Sequence, residues 1–252
     1  MDDSTLQLRL APIIEAIVDI DCDLPPGIDV ASLESAGAEA FRAGYPKATK
    51  RFVAQMRVDA AGEQGATVTA RQGLHALQFL SADGKQLVQI RPHGYSFNRL
   101  APYTSLDHYL PEVERTWRNF VQLARPLQVR VVRLRFINRL LLPMTEGREQ
   151  LYDFLSLGPR LPNETRLELA GFFYQNSAVE PATGNAVNVT MATQPLEGEK
   201  LPVILDIEAY CNATVEPADW DAIRERIQSL RLLKNLVFRN SLTPKCLNLF
   251  RE

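Results

Sequence analysis

The chain has 252 residues, 46 % of them apolar and 23 % charged, with a formal net charge of -2. At this length roughly 75 % of the surface of the unfolded chain can be buried, so a core forms without staples. Three cysteines (Cys22, Cys211, Cys246) and three histidines (His75, His93, His108), with no CxxC pair, exclude a disulfide framework and a structural zinc site. No apolar run approaches the ~20 residues a membrane helix needs, and the acidic opening MDDSTLQLRL is unlike a signal peptide. The expected location is therefore a reducing cytoplasm, away from membranes.

Taken in chain order, the first element is a strand over residues 11–21. Ile14, Ala16, Val18 and Ile20 alternate there with Glu15, Asp19 and Asp21. A helical stretch spans 30–45, and strands follow at 52–58, 74–80 and 87–91, the last two joined by the tight-turn dipeptide Asp83-Gly84. Residues 91–99 read as a polar loop. A helix begins after the N-cap Ser105: Leu106, Tyr109, Leu110, Val113, Trp117, Phe120 and Ala124 lie on one face, and Pro126 stops it. A second long strand, 129–142, sets Val132, Leu134, Phe136 and Leu140 against Arg133, Arg135 and Arg139. A short helix at 150–155 and strands at 167–174, 187–192 and 201–211 come next. Asp219 then caps a helix striped by Trp220, Ile223, Ile227 and Leu230.

The order strand, helix, meander, long helix occurs twice. Asp83-Gly84 and Glu197-Gly198 stand in comparable places, at an offset of 114 residues. The expectation is an α+β protein of two tandem repeats, 1–126 and 127–252, forming one pseudo-symmetric unit. In it a curved antiparallel sheet carries the long helices on one face. This arrangement resembles TATA-box-binding-protein-like saddles and helix-grip folds, a likeness that implies no activity. If the first strands of the two halves are neighbours, Glu15, Asp19 and Asp21 should pair with Arg133, Arg135 and Arg139.

Charge and chemistry suggest two candidate binding regions. Residues 91–139 hold nine Lys/Arg against three acids, whereas residues 1–30 hold seven acids against one Arg. Arg91, Arg99, Arg133, Arg135 and Arg139 suit an anionic partner such as nucleic acid, the plainer alternative being internal ion pairs. In the loop 91–99, His93, Tyr95 and Asn98 add groups that hydrogen-bond or stack, and His93 would act as a base only beside an orienting carboxylate. No GxSxG elbow, GxxxxGK[ST] or GxGxxG occurs, so no catalytic residue, metal or cofactor is indicated. Cys211 shares the inward register of Val203 to Ala209, and the apolar tail 242–250 is expected to dock on the body or to meet a partner.

The segments LAPIIEAIVDI, QIRPHGYSFNRLAPY, RLRFINRL and FRNSLTP resemble, nearly end to end, a sporadically distributed, uncharacterised family of bacterial and archaeal proteins of about this length. The resemblance brings no catalytic residue. The patchy distribution it implies fits toxin–antitoxin, immunity or defence modules. The function expected from the sequence is non-enzymatic binding of a protein partner. RNA or DNA binding through the basic surface is the alternative, as is a small-ligand binder or enzyme with a cavity between sheet and helices and the His93 loop at its mouth.

Overall fold

A computed structural model describes residues 8–60, 66–144, 151–158 and 170–251, with the backbone alone over 54–60 and 66–72. The strands are β1 (Ile13–Asp23), β2 (Lys47–Ala60), β3 (Ala66–Leu80), β4 (Gln86–Arg91), β5 (Gly94–Leu100), β6 (Gln128–Pro143), β7 (Phe173–Val179), β8 (Ala186–Thr193) and β9 (Lys200–Val215). The helices are α1 (Glu34–Phe41, preceded by a 3₁₀ turn), α2 (Leu106–Ala124), α3 (Leu151–Phe154), α4 (Trp220–Ser241) and α5 (Pro244–Asn248). Among the described residues they make an α+β fold around one sheet of nine strands in the order β2-β3-β4-β5-β1-β6-β9-β8-β7. Every pairing in it is antiparallel. Among the described residues no helix is long and apolar enough to cross a membrane.

Alternation along the strands gives the sheet two different faces. One is apolar: Val18 and Ile20 on β1, Phe97 on β5, Leu134 and Phe136 on β6 and Ile207 on β9 are buried there beneath α2 and α4. Ring packing fixes α2 on this face, with Phe97 and Tyr109 stacked at 5.8 Å and Trp117 meeting Tyr95 edge-on at 5.5 Å. Trp117 Nε1 also donates to the Pro217 carbonyl at 2.9 Å, tying α2 to the turn that leads into α4. Both long helices begin as the sequence suggests. The Ser105 hydroxyl accepts from His108 N at 3.2 Å and the Asp219 carboxylate from Ala222 N at 3.0 Å.

Four details depart from expectation. Residues 91–99 are a hairpin rather than a loop: Pro92-His93 is a two-residue turn and 94–100 is the strand β5. Gly94, at φ +138°, is required there, because a Cβ would stand 2.2 Å from the Ile20 carbonyl oxygen. The offset of 114 residues therefore aligns β4 with β9, although β9 leads into α4 whereas β4 leads into β5. Ile14 leaves the buried row because the β1–β6 register slips between Ile13 and Glu15, and a one-residue slip turns a side chain to the other face. The strand expected at 167–174 begins outside the described residues, and β7 runs from Phe173 instead.

The tail docks on the body. Leu242, Cys246 and Phe250 are buried, Thr243 N donates to the Phe154 carbonyl at 3.0 Å, and Leu10 N donates to the Phe250 carbonyl at 3.1 Å. Residues 8–13 and the tail around Phe250 and Arg251 thus lie together beside α4, which creates the wall of the cavity described next.

Candidate functional site

Five of the eight sequence-selected residues share the helix-free face of the sheet: Arg91, Asn98, Arg133, Arg135 and Arg139. The pattern that puts them there is alternation against an apolar row, and adjacency of β1 and β6 brings acids and arginines together. Arg91 reaches Asp19 at 3.2 Å and Asp21 at 3.1 Å, and Arg133 pairs with the other Asp21 oxygen. Arg135 donates from Nε to Asp206 at 2.9 Å, and those hydrogen bonds raise its pKa further. Arg139 pairs with Glu197. Beside them a chain of amides crosses four strands, Gln78 to Gln89 at 2.9 Å, Gln89 to Asn98 at 2.9 Å, and Asn98 to Glu15 at 2.6 Å.

Of the expected acid–arginine pairing between β1 and β6, only Asp21 with Arg133 forms. Arg135 and Arg139 turn to acids of the second half of the chain, because β9 flanks β6 on its other side. The remaining three residues are elsewhere. Tyr95 belongs to the core, with its hydroxyl 2.6 Å from that of Thr116, and Arg99 lies in the opposite register to Asn98, donating to the Pro102 carbonyl at 3.3 Å. His93 stands in the β4–β5 turn, where its carbonyl accepts from Cys22 N at 2.8 Å. The three thiols are buried and unactivated: desolvation pushes Cys22 and Cys246 up to about 12 and raises Cys211. Among the described residues no cluster of His, Cys, Asp and Glu is arranged to hold a metal.

A cavity of about 590 Å³ opens at the other end of β1, between the first turn of α2, the middle of α4, Phe136 and Asn138 of β6, residues 8–13 and Arg251. His93 has no part in it, since Gly94 pairs with Asp21 near the far end of β1 whereas the cavity touches residues 11–13. Its described charged lining is Arg9, Asp107, Arg231, Lys234 and Arg251, four cations against one carboxylate. Arg231 is anchored by Asp107, its two terminal nitrogens 2.7 and 2.9 Å from the carboxylate oxygens. This fork ties α4 to α2 and leaves the net positive charge to the other three cations.

Lys234 is the unusual member. It is 8 % exposed, and its Nζ stands 3.9 Å from the centroid of the Phe136 ring. Among the described residues Nζ has no hydrogen bond and no ion pair. Desolvation first, and the neighbouring Arg231 second, lower its pKa from 10.5 to about 7. A buried amine of this kind is costly unless something enters to pair with it. Asn138 and Asn235, both buried, are further polar residues of the lining.

The sequence signal for this site is present but easily passed over. Along α4 the buried stripe steps through Ile223, Ile227, Leu230, Lys234 and Phe238, so a lysine occupies a position where the period demands an apolar residue. Asn138 likewise interrupts the apolar row of Leu134, Phe136, Leu140 and Leu142 on β6. Neither family models nor curated proteins match this chain.

Proposed function

We propose that the protein is a binder of a small anionic ligand, taken into the cavity between β6, α2 and α4. The observation that carries this reading is the excess of positive charge among the described residues of that cavity, above all the buried amine of Lys234, which meets none of their carboxylates. A volume of about 590 Å³ suits a metabolite-sized molecule. Its anionic group would meet Arg9 and Arg251, with the positive charge of Lys234 close by adding to the field, while Arg231 holds the frame through Asp107. A nucleic acid, or a macromolecular partner of a toxin–antitoxin or defence module recognised by charge, would use the arginines of the open sheet face. Those guanidiniums already meet carboxylates, so that face offers a protein or nucleic acid little free charge. The strand order, with β1 and β6 side by side at the centre and a long helix closing each half, supports a pseudo-twofold repeat with halves 1–126 and 127–252. In that frame the cavity belongs to one end of the central strand pair.

Isothermal calorimetry of the full chain against phosphate, lactate and 2-hydroxyglutarate tests this reading. The expected result is saturable binding by at least one of these anions, weaker at pH 8.5 than at pH 6 as Lys234 loses its proton. Lys234→Met and Arg251→Ala should each reduce the affinity about tenfold or more. Absence of binding by all three anions, or equal binding by Lys234→Met, would overturn it.

A further inference from the structure

Resting on the anion-pocket reading, we infer that Lys234 is an imine-forming lysine and that the ligand is an oxo-acid, a carbonyl compound whose anionic group is held by the arginines of the cavity. An ordinary surface lysine is a poor nucleophile because it is almost wholly protonated. Burial in an apolar setting beside another cation is the recurrent way of keeping such an amine neutral. Lys234 meets both conditions: only 8 % of it is exposed, and Arg231 stands one helical turn away on α4, the two together outweighing the attraction of the Phe136 ring face for its charged form. With a pKa of about 7 in place of 10.5, the neutral fraction at pH 7 rises by about three orders of magnitude. No described carboxylate pairs with Nζ to hold its proton: Asp107, the acid facing it from α2, is occupied by Arg231. The other described charged groups of the lining, Arg9 and Arg251, are cationic.

The chemistry balances without a further reactant. The nitrogen lone pair of neutral Lys234 adds to the carbonyl carbon to give a carbinolamine. The two amine hydrogens then leave with the carbonyl oxygen as water, so that one C=O bond is replaced by one C=N bond. Nothing is oxidised or reduced.

The test uses the full chain with pyruvate or 2-oxoglutarate and cyanoborohydride at pH 7, read by intact mass and by peptide mapping. Lactate and 2-hydroxyglutarate serve as ligands of like charge that lack the carbonyl. The expected result is one adduct, heavier by the oxo-acid less one oxygen, located on Lys234 and slowed by the hydroxy-acids. It should be absent from Lys234→Met and from Lys234→Arg, both checked for folding by circular dichroism. Binding of hydroxy- and oxo-acids alike with no adduct on Lys234, or adducts spread over surface lysines at similar rates, overturns the inference and leaves the anion reading standing. Failure of every acid to bind and to label removes both.

Discussion

The open sheet face and the cavity beneath α4 both draw on strand β6, and they treat charge in opposite ways. On the open face Arg91, Arg133, Arg135 and Arg139 crowd together, yet each meets a carboxylate. In the cavity the described charges are fewer, and one of them, Lys234, is buried with no described carboxylate to pair with. The contrast teaches that density of charged residues is a poor guide to a site. Paired charges on a half-exposed surface add modestly to stability, whereas a buried amine with a strongly perturbed pKa in a cleft marks a candidate functional site.

The largest expected effect falls on the scaffold that serves both regions. Trp117→Ala removes a buried ring and the hydrogen bond to Pro217, and should cost about 3–5 kcal/mol in urea unfolding. A loss below about 1 kcal/mol would mean that α2 is not fixed on the sheet as described. Next is Asp21→Ala, which strips Arg91 and Arg133 of a shared partner and should cost about 1–3 kcal/mol. A neutral result would show that the open-face network contributes nothing measurable.

Lys234→Met probes the opposite regime. Because the folded-state pKa of Lys234 is lowered from 10.5 to about 7, the unfolded state binds more protons between those values, and the stability of the parent protein should rise with pH across that window. The slope from this one group is at most about 1.4 kcal/mol per pH unit. The Met variant should lack that slope and be at least as stable at pH 7, which unfolding midpoints at pH 7 and pH 9.5 would reveal. Removal of a paired open-face residue cannot produce this pattern. The smallest effect belongs to Arg139→Ala, whose partner Glu197 is half exposed. Its cost should stay within about 1 kcal/mol and shrink further in high salt, as a salt series of unfolding curves would show.

What the sequence made legible follows from periodicity. The two long helices, their caps at Ser105 and Asp219, and the alternating rows of β1 and β6 are local patterns, and local patterns survive into the fold. The adjacency of β1 and β6 entered the sequence reading only as a condition, and the strand order meets it. The hairpin at Pro92-His93 was hidden because proline and glycine read as loop, although Gly94 serves a close backbone approach inside a strand pair. Partner choice for Arg135 and Arg139 depended on which strand flanks β6, a fact of topology that one strand's pattern cannot carry. The cavity was least visible of all. It assembles residues 8–13 and Arg251 with α2, α4 and β6, and its local trace is a lysine and an asparagine sitting in apolar registers.

The central claim, that Lys234 is a desolvated and unpaired amine poised near neutrality, is tested most directly by titrating its side-chain resonances by NMR in the isotopically labelled full chain, with Lys234→Arg providing the assignment. A midpoint near 7 is the predicted result, and a midpoint close to 10.5, as for an ordinary lysine, would contradict the account.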